Sequence, residues 1–546
     1  MKQRQSFVIN SFSGLNQGSL TRGTPGAFID GQNFLVSDDG YLRKSFGTRK
    51  TFEGHGLDGI FSLFVNDEEA LRVFAAGLDS GGDVKLKMNA GGSWQEVTLA
   101  STMAALSESS MWWISYKQDA YFFNKVISGY YDSSVGSVVD LDEENKAWFL
   151  SEGGVESNYI PIRGFSPVIH FNALWLAGVG EMRNAVLFSQ NFKNIFYDIY
   201  TGNLPALNFV SVGGDDSSSG ATEDEITGIA EWGSDLFVGK NRSIHRIVGT
   251  GSDQYKAIPI NADVGVGYGG SMQHTRAGII WLEDRENGFW LYNGQLQNIS
   301  KAKIDGFVGE IDSDGFISSG VFRGRYYYLS INASTTLVYD TEMQSWSKED
   351  VSYGGFARYG VNRKKFVAAH NEYSTAVTQV IDPARPADYQ DILKKEYVGC
   401  DIVEFLTDSG ARKLEDDGSG GEELSFSAQT PFFFMEAPTS MKTFYECIVM
   451  YSSAQPELLV DLDIDGKRFY RDLKINVDPR PRFDLSHYGV DSFENIPFYT
   501  GKLLLPWEAT GYSMSLIFKE SSKFNLKIHN IIIYYLVKGR YSEEKE

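Results

Sequence analysis

A strand–turn–strand outline recurs seven times between residues 70 and 381, and no other feature limits the possible folds as much. The clearest copy, residues 278–300, reads GIIWLEDRENGFWLYNGQLQNIS. Ile279 to Leu282 form one apolar run, Glu283 to Gly288 turn the chain, and Phe289 to Tyr292 bring it back. Asn293-Gly294 then supplies a two-residue hairpin turn, whose central positions need positive φ. The seven outlines start near Ala70, Asp119, Ala173, Asp235, Gly278, Gly324 and Lys364, at spacings of 49, 54, 62, 43, 46 and 40 residues. Known propeller repeats are spaced by roughly 40–50 residues.

A small sheet cannot bury both of its faces alone; packed radially, each sheet covers its neighbour and leaves only short edges. The outline therefore predicts an all-β chain built on a β-propeller of about seven blades, with six or eight allowed by the irregular spacing. Tyr339-Asp340 followed by Trp346 fits the strand end of a kelch-like blade, in which the Trp packs between neighbours. Composition agrees: 37 Phe, 29 Tyr and 10 Trp favour strands, and 56 Gly against 14 Pro favour turns. Helical periodicity is scarce, and the tract at 102–110 is too short to alter the class.

Residues 382–424 break the pattern with Pro383, Pro386, a short helix expected at 389–395 and the loop DDGSGGEE. They read as a connection, with a boundary near Glu423. Beyond it, short strands such as TFYECIVMYSS and FNLKIHNIIIYYLV predict a C-terminal β-sandwich at 425–546. The expected organisation is an N-terminal segment at 1–50 that joins or closes the propeller, the propeller at 51–381, the connection at 382–424 and the sandwich.

Fifty basic and 71 acidic side chains give a net charge of −21. So acidic a chain is not expected to grip nucleic acid, because binding is driven by cations that displace counterions from phosphates. It suits either simple solubility or a channel wall past which nucleic acid slides. Cys400 and Cys447 are too few for a disulfide framework and are expected as free thiols. No secretion signal and no membrane-spanning run is read from the sequence.

The motifs that resemble active sites have structural explanations. Gly265, Gly267 and Gly270 match G-x-G-x-x-G, but a strand is expected to follow where a dinucleotide site needs a helix. Asp461, Asp463, Asp465, Gly466 and Asp472 imitate a calcium loop, yet the run around them alternates like a strand and Asp465-Gly466 reads as a hairpin turn. His55, His170, His245, His274, His370, His487 and His529 show no metal-ligand spacing. Glu283, Asp284 and Asp312 are candidates for paired-carboxylate glycosidase chemistry, without the Asp-box turns of sialidase blades. Leu42-Arg43-Lys44 with Arg49-Lys50 forms a basic tract, expected as a solvated strand edge or a nucleic-acid contact. The reading is therefore a non-enzyme, with no catalytic, cofactor-binding or metal-binding residue and no cofactor.

Three stretches covering about a third of the chain carry a resemblance. The first is FSGLNQGS…DGQNFLVSDDGYLRKSFGTRK, with Asn33, the Asp39-Gly40 turn and the run from Leu42 to Gly47. The second is 265–300, with its glycine loop, Ser271 and the ending NGQLQNIS. The third is the C-terminal pair EAPTSMKTFYECIVMY and GYSMSLIFKESSKFNLKIHNIIIYYLVKG. Together they resemble the tail nozzle, or hub, proteins of short-tailed bacteriophages, a group that includes packaged-DNA stabilisation proteins. The resemblance implies a virion protein assembled in the host cytoplasm as a ring, usually of six copies, below the portal and its adaptor. Such a ring forms the DNA conduit, helps retain packaged double-stranded DNA through transient, sequence-independent contact, and anchors tail fibres or tailspikes. The alternative expectation is a receptor- or carbohydrate-binding propeller of a virion or cell surface.

Overall fold

The computed structural model describes residues 4–538 apart from 18–25, 105–110, 179–181, 200–203, 214–223, 251–253, 284–287, 310, 312–317, 361–363, 382–388, 407–410, 415–419, 436–437, 454–456, 479–497, 506–508 and 523–524. Among the described residues regular structure is almost entirely β, with two helices, Leu141–Ser151 and Asp305–Val308. Neither is long and apolar enough to cross a membrane.

Six antiparallel four-stranded sheets follow one another along the chain. Sheet 1 runs from Gly59–Asn66 to Ser93–Glu96, sheet 2 from Trp112–Tyr116 to Ser137–Asp140, and sheet 3 from Gly164–His170 to Phe209–Ser211. Sheet 4 runs from Ile226–Trp232 to Lys256–Asn261, sheet 5 from Gln273–Thr275 to Leu296–Asn298, and sheet 6 from Ser318–Phe322 to Ser345–Glu349. Sheet 7 differs: Ser352–Tyr359, Lys365–Ile381 and Tyr389–Leu406 are joined by Gly47–Lys50, which pairs antiparallel with the last of them. A strand from near the N-terminus thus completes the seventh sheet.

The sheets form a closed ring, because each of the seven junctions between neighbours holds its own buried apolar cluster. At the closing junction Val73 and Ala75 of sheet 1 meet Val367, Ala369 and Ile402 of sheet 7. Trp346 of sheet 6 lies between sheets 5 and 6, with ring centroids 4.8 Å from both Phe289 and Tyr339, and its indole N–H donates to the Ile299 carbonyl at 2.9 Å. This is the between-blade position expected of it. Burying so large a ring with its one polar atom paired joins the sheets without an orphaned donor.

The closing seam also has a polar lock. Buried Asn371 of sheet 7 accepts the Ile60 N–H at 3.0 Å and donates to the Ile60 carbonyl at 2.8 Å. Ile60 precedes a register shift in the first strand of sheet 1, so its backbone groups are satisfied across the seam.

After sheet 7, Ala411–Leu414 pairs with Gly47–Lys50 and leads into a sheet of Gly420–Gln429, Met514–Ser522, Leu459–Ile464 and Lys467–Lys474. A further sheet contains Phe498–Leu504, Lys442–Ser453 and Leu526–Val537. Phe426, Leu462 and Phe518 of the former share one buried cluster with Cys447, Val449 and Ile533 of the latter. That cluster extends without a break through Phe12, Phe28 and Phe34 to Leu282, Phe289 and Trp346 of the ring.

The N-terminal segment makes this continuity. Gln5–Ile9 and Leu42–Lys44 pair with Leu526–Val537, and Asp30–Gln32 pairs with Gly420–Gln429. Asn33, at φ +58°, donates from its backbone to the Lys348 carbonyl at 2.6 Å and from its side chain to the Ser425 carbonyl at 2.5 Å, while its side-chain oxygen accepts the Asp350 N–H at 3.2 Å.

Three expectations are corrected. Residues 389–395, expected as a helix, are instead part of the strand Tyr389–Leu406, which pairs with Lys365–Ile381; 382–388 lie outside the described residues. Non-local pairing overrides weak local helix preference here. Glu423, read as a boundary, lies inside the strand Gly420–Gln429. The helix Leu141–Ser151 was not anticipated, although the sequence carries its start signal. Asp140 caps the N–H groups of Asp142 and Glu143, and three acidic residues occupy the first turn.

Candidate functional site

The first strands of all seven sheets line one cavity of about 780 Å³ around the ring axis. So many backbones converge there only because some positions lack a Cβ. A Cβ on Gly354 would lie 1.7 Å from the Ile60 carbonyl oxygen, and one on Gly269 would lie 1.6 Å from that of Thr227. The wall carries Trp112 and Trp113 from sheet 2, Phe356 from sheet 7, and Tyr373 and Tyr397 from the hairpin that extends sheet 7. Those two tyrosine rings are 4.9 Å apart, and Tyr397 packs against the backbone of Gly59.

Polar side chains share the wall with these rings. Gln273, His274 and Ser319 reach the cavity together with Glu231, whose carboxylate holds His170 at 2.9 Å. Burial pushes the His274 imidazole below its usual range, and Arg358 adds to this against the opposing pull of Glu231. Glu231 is the one carboxylate on the described wall, so acid–base chemistry by two facing carboxylates has no pair here. The surface suits stacking on aromatic faces together with hydrogen bonds from the serine, Gln273 and His274 side chains.

A constellation that sequence spacing did not flag lies in sheet 4. Ser243 donates to Asp224 at 2.8 Å and sits 3.1 Å from Nε2 of His245. The order is carboxylate, hydroxyl, imidazole, so the serine proton is directed at Asp224 and no carboxylate among the described residues orients the histidine. A serine nucleophile needs the reverse, with the imidazole between the other two. Nearby Lys240 donates to the Val212 and Gly213 carbonyls at 3.0 and 3.3 Å. Burial first, then Lys240, lowers the His245 pKa. The cluster ties a loop to the sheet.

The sequence motifs fall elsewhere. The GVGYGG segment leads through a one-turn 3-10 helix, Gly269–Ser271, into the strand Gln273–Thr275, with no helix facing a phosphate. Asp461 and Asp463 lie in the strand Leu459–Ile464, and Asp465 and Gly466 have φ of +51° and +78° in its hairpin turn. Asp461 engages Lys519 at 2.6 Å, and Asp465 accepts the Tyr512 and Ser513 N–H groups. Among the described residues no group of three or more His, Cys, Asp or Glu is placed to hold a metal. Glu283 is buried and accepts the Gly265 N–H at 3.2 Å; Asp284 and Asp312 lie outside the described residues. Cys400 and Cys447 are both free, and burial raises the Cys447 thiol to about 12.

The basic tract is not a solvated edge, since Gly47–Lys50 is paired on both sides. Lys44 is buried in an ion pair with Glu520 and donates to the Ser522 carbonyl at 2.9 Å. Arg43 lies over the Phe46 ring at 4.4 Å, and Arg49 pairs with Glu404 at 3.2 Å. These cations were legible as charge, but not as interior strands, because their partners lie hundreds of residues away.

Ring and cavity together define an all-β chain of propeller type with an aromatic-lined axis. No protein-family model matches the chain, and no curated protein does. Among solved structures it is similar to YCF48 bound to D1 peptide, at 10% identity and a TM-score of 0.36, covering 70% of this chain and 99% of that one. A likeness at that level supports no statement about function.

Proposed function

We propose that this protein is a structural virion component of a phage tail: a nozzle or hub subunit that forms a ring, expected as a hexamer, below the portal and adaptor. In finer detail, we read the ring of sheets as a seven-bladed propeller and the paired C-terminal sheets as a β-sandwich. The observation that carries the reading is the N-terminal segment. The residues that bear the family resemblance, Asn33 and Leu42 to Gly47, are also those that fasten sheets 6 and 7 to the C-terminal sheets. They build one stiff body, which suits a load-bearing subunit.

The axial cavity has the volume of a small-molecule pocket. Duplex DNA therefore passes through the lumen of the assembled ring and not through a single subunit. A net charge of −21 gives that lumen little affinity for phosphate. An image of the native particle, or of the purified chain mixed with portal and adaptor, tests the proposal: a ring beneath the portal is expected. Sub-micromolar DNA binding at physiological salt contradicts the conduit.

The second reading, a receptor- or carbohydrate-binding propeller, is favoured by Trp112, Phe356, Tyr373 and Tyr397 around the cavity. Glycan-array binding that is lost in Trp112→Ala would establish it over the nozzle.

A further inference from the structure

We propose that Asn293 is a self-modification site, cyclising onto Gly294 to become aspartate or isoaspartate, and that the isoaspartate product loosens the junction between sheets 4 and 5. The proposal stands apart from the phage-tail reading. Asparagine is chemically labile, most of all where the next residue lacks a Cβ and its backbone nitrogen can reach the carboxamide carbon. The chain contains two Asn-Gly pairs, at 287–288 and 293–294, and Asn287 lies outside the described residues.

The turn around Asn293 meets the requirements of the reaction. Tyr292 pairs with Leu296, so the turn holds Asn293, Gly294 and Gln295, one residue more than its sequence predicts. All three are exposed. Gly294 has a φ of +102°, and a Cβ there would meet nothing within 4 Å. Its N–H has no acceptor among the described residues. The Asn293 carboxamide oxygen accepts the Gln295 N–H at a long 3.4 Å. Asn298 and Asn332 differ on both counts. Each precedes a residue with a side chain, and their oxygens accept the Lys301 and Ser334 N–H groups at 2.8 and 2.9 Å.

The Gly294 nitrogen loses its proton to solvent base and bonds to Cγ of Asn293, and the side-chain amide leaves as ammonia. Water then opens the succinimide. Cleavage between nitrogen and Cγ gives aspartate; cleavage between nitrogen and the main-chain carbonyl carbon gives isoaspartate, whose backbone runs through Cβ and Cγ. Water enters and ammonia departs, with no oxidant or reductant. The isoaspartate product lengthens the backbone between Tyr292 and Leu296 by one carbon. Both flanking side chains pack into the junction of sheets 4 and 5, where the Tyr292 ring lies 5.1 Å from Phe237 and 5.7 Å from Trp232. A longer turn displaces the strand Leu296–Asn298 against Phe289–Tyr292 and disturbs that packing.

Incubating the full chain in oxygen-isotope-labelled water, then digesting it for tandem mass spectrometry, tests the chemistry. Label is expected at residue 293 in both products, faster as pH rises above neutral because the attacking nitrogen must lose its proton. Asn298 and Asn332 should stay amidated over the same period, and the label at 293 should be lost in Asn293→Gln. Label confined to residue 287, or an Asn293 that stays amidated in the folded chain while the urea-unfolded chain converts, overturns the modification. Hydrogen exchange tests the consequence. The Leu296 amide should exchange roughly tenfold or more faster in the isoaspartate-bearing chain than in fresh protein. It should keep the fresh rate in Asn293→Asp, which adds the charge without the length, and in aged Asn293→Gln. Equal exchange in the isoaspartate-bearing and fresh chains overturns the loosening of the junction.

Discussion

Replacing Asn371 with Leu removes the polar lock of the closing seam while keeping the branched side-chain shape. Asn371 is buried and satisfies both the N–H and the C=O of Ile60, at 3.0 and 2.8 Å. The substitution leaves two buried backbone groups without these partners, each costing about 1–3 kcal/mol, so a loss near 4 kcal/mol is expected. Unfolding entropy near 2.1 cal/mol/K per residue over the roughly 360 residues from Gly47 to Leu406 gives about 0.75 kcal/mol/K, hence a drop of about 5 °C in the calorimetric transition. The seam should also open locally before the ring melts, so amide exchange at Ile60 should accelerate while that at Trp346, in the junction of sheets 5 and 6, stays slow. A transition shifted by less than about 1 °C, with exchange at Ile60 unchanged, refutes the claim that Asn371 holds the ring shut.

Other perturbations test the remaining joints. Trp346→Ala should cost about 3–5 kcal/mol by opening a cavity between sheets 5 and 6 and orphaning the Ile299 carbonyl, as measured by denaturant titration. Lys44→Met alone should cost about 3–5 kcal/mol, because it strands buried Glu520, whereas Lys44→Met/Glu520→Leu should return to within about 1 kcal/mol of wild type or exceed it. An additive double variant contradicts that assignment. His55 is held neutral by burial, and its Nδ1 accepts the Leu57 N–H at 3.1 Å. Its folded pKa lies below the unfolded value of about 6.5, so the stability it contributes is complete above that pH and is lost as pH falls below it. His245 and His274 share this sign. Melting temperature should therefore fall from about pH 7 toward about pH 5, less steeply in His55→Gln; a rise over that window contradicts the sign.

Local pairing determined what the sequence disclosed. Sheets 1, 2, 4, 5 and 6 take their strands consecutively, and sheet 3 does so but for a two-stranded excursion, so apolar runs and turn residues such as Asn293-Gly294 mark them one after another. The Trp346 position followed from the same local pattern. What stayed hidden depends on distant partners. Tyr389–Leu406 has the composition of a connection and becomes a strand only because Lys365–Ile381 on one side and Gly47–Lys50 on the other supply its hydrogen bonds. Lys44 reads as a surface cation until Glu520, 476 positions later, is placed beside it. The axial cavity was equally invisible, since its wall is assembled from the first strands of seven sheets and a distant hairpin that brings Tyr373 and Tyr397, each ordinary by itself.

The way the two ends of the chain interlace has a consequence for synthesis. Gln5–Ile9 and the second edge of Leu42–Lys44 find their neighbour in Leu526–Val537, made about 500 residues later. At roughly 5–20 residues per second, the leading strands wait about 25–100 s with bare edges. A product cut short by nonsense codon or protease never receives that neighbour, so it stays open and recognisable to degradation machinery. Synthesis through Val537 thereby acts as an admission check, since only chains that include this strand close both edges.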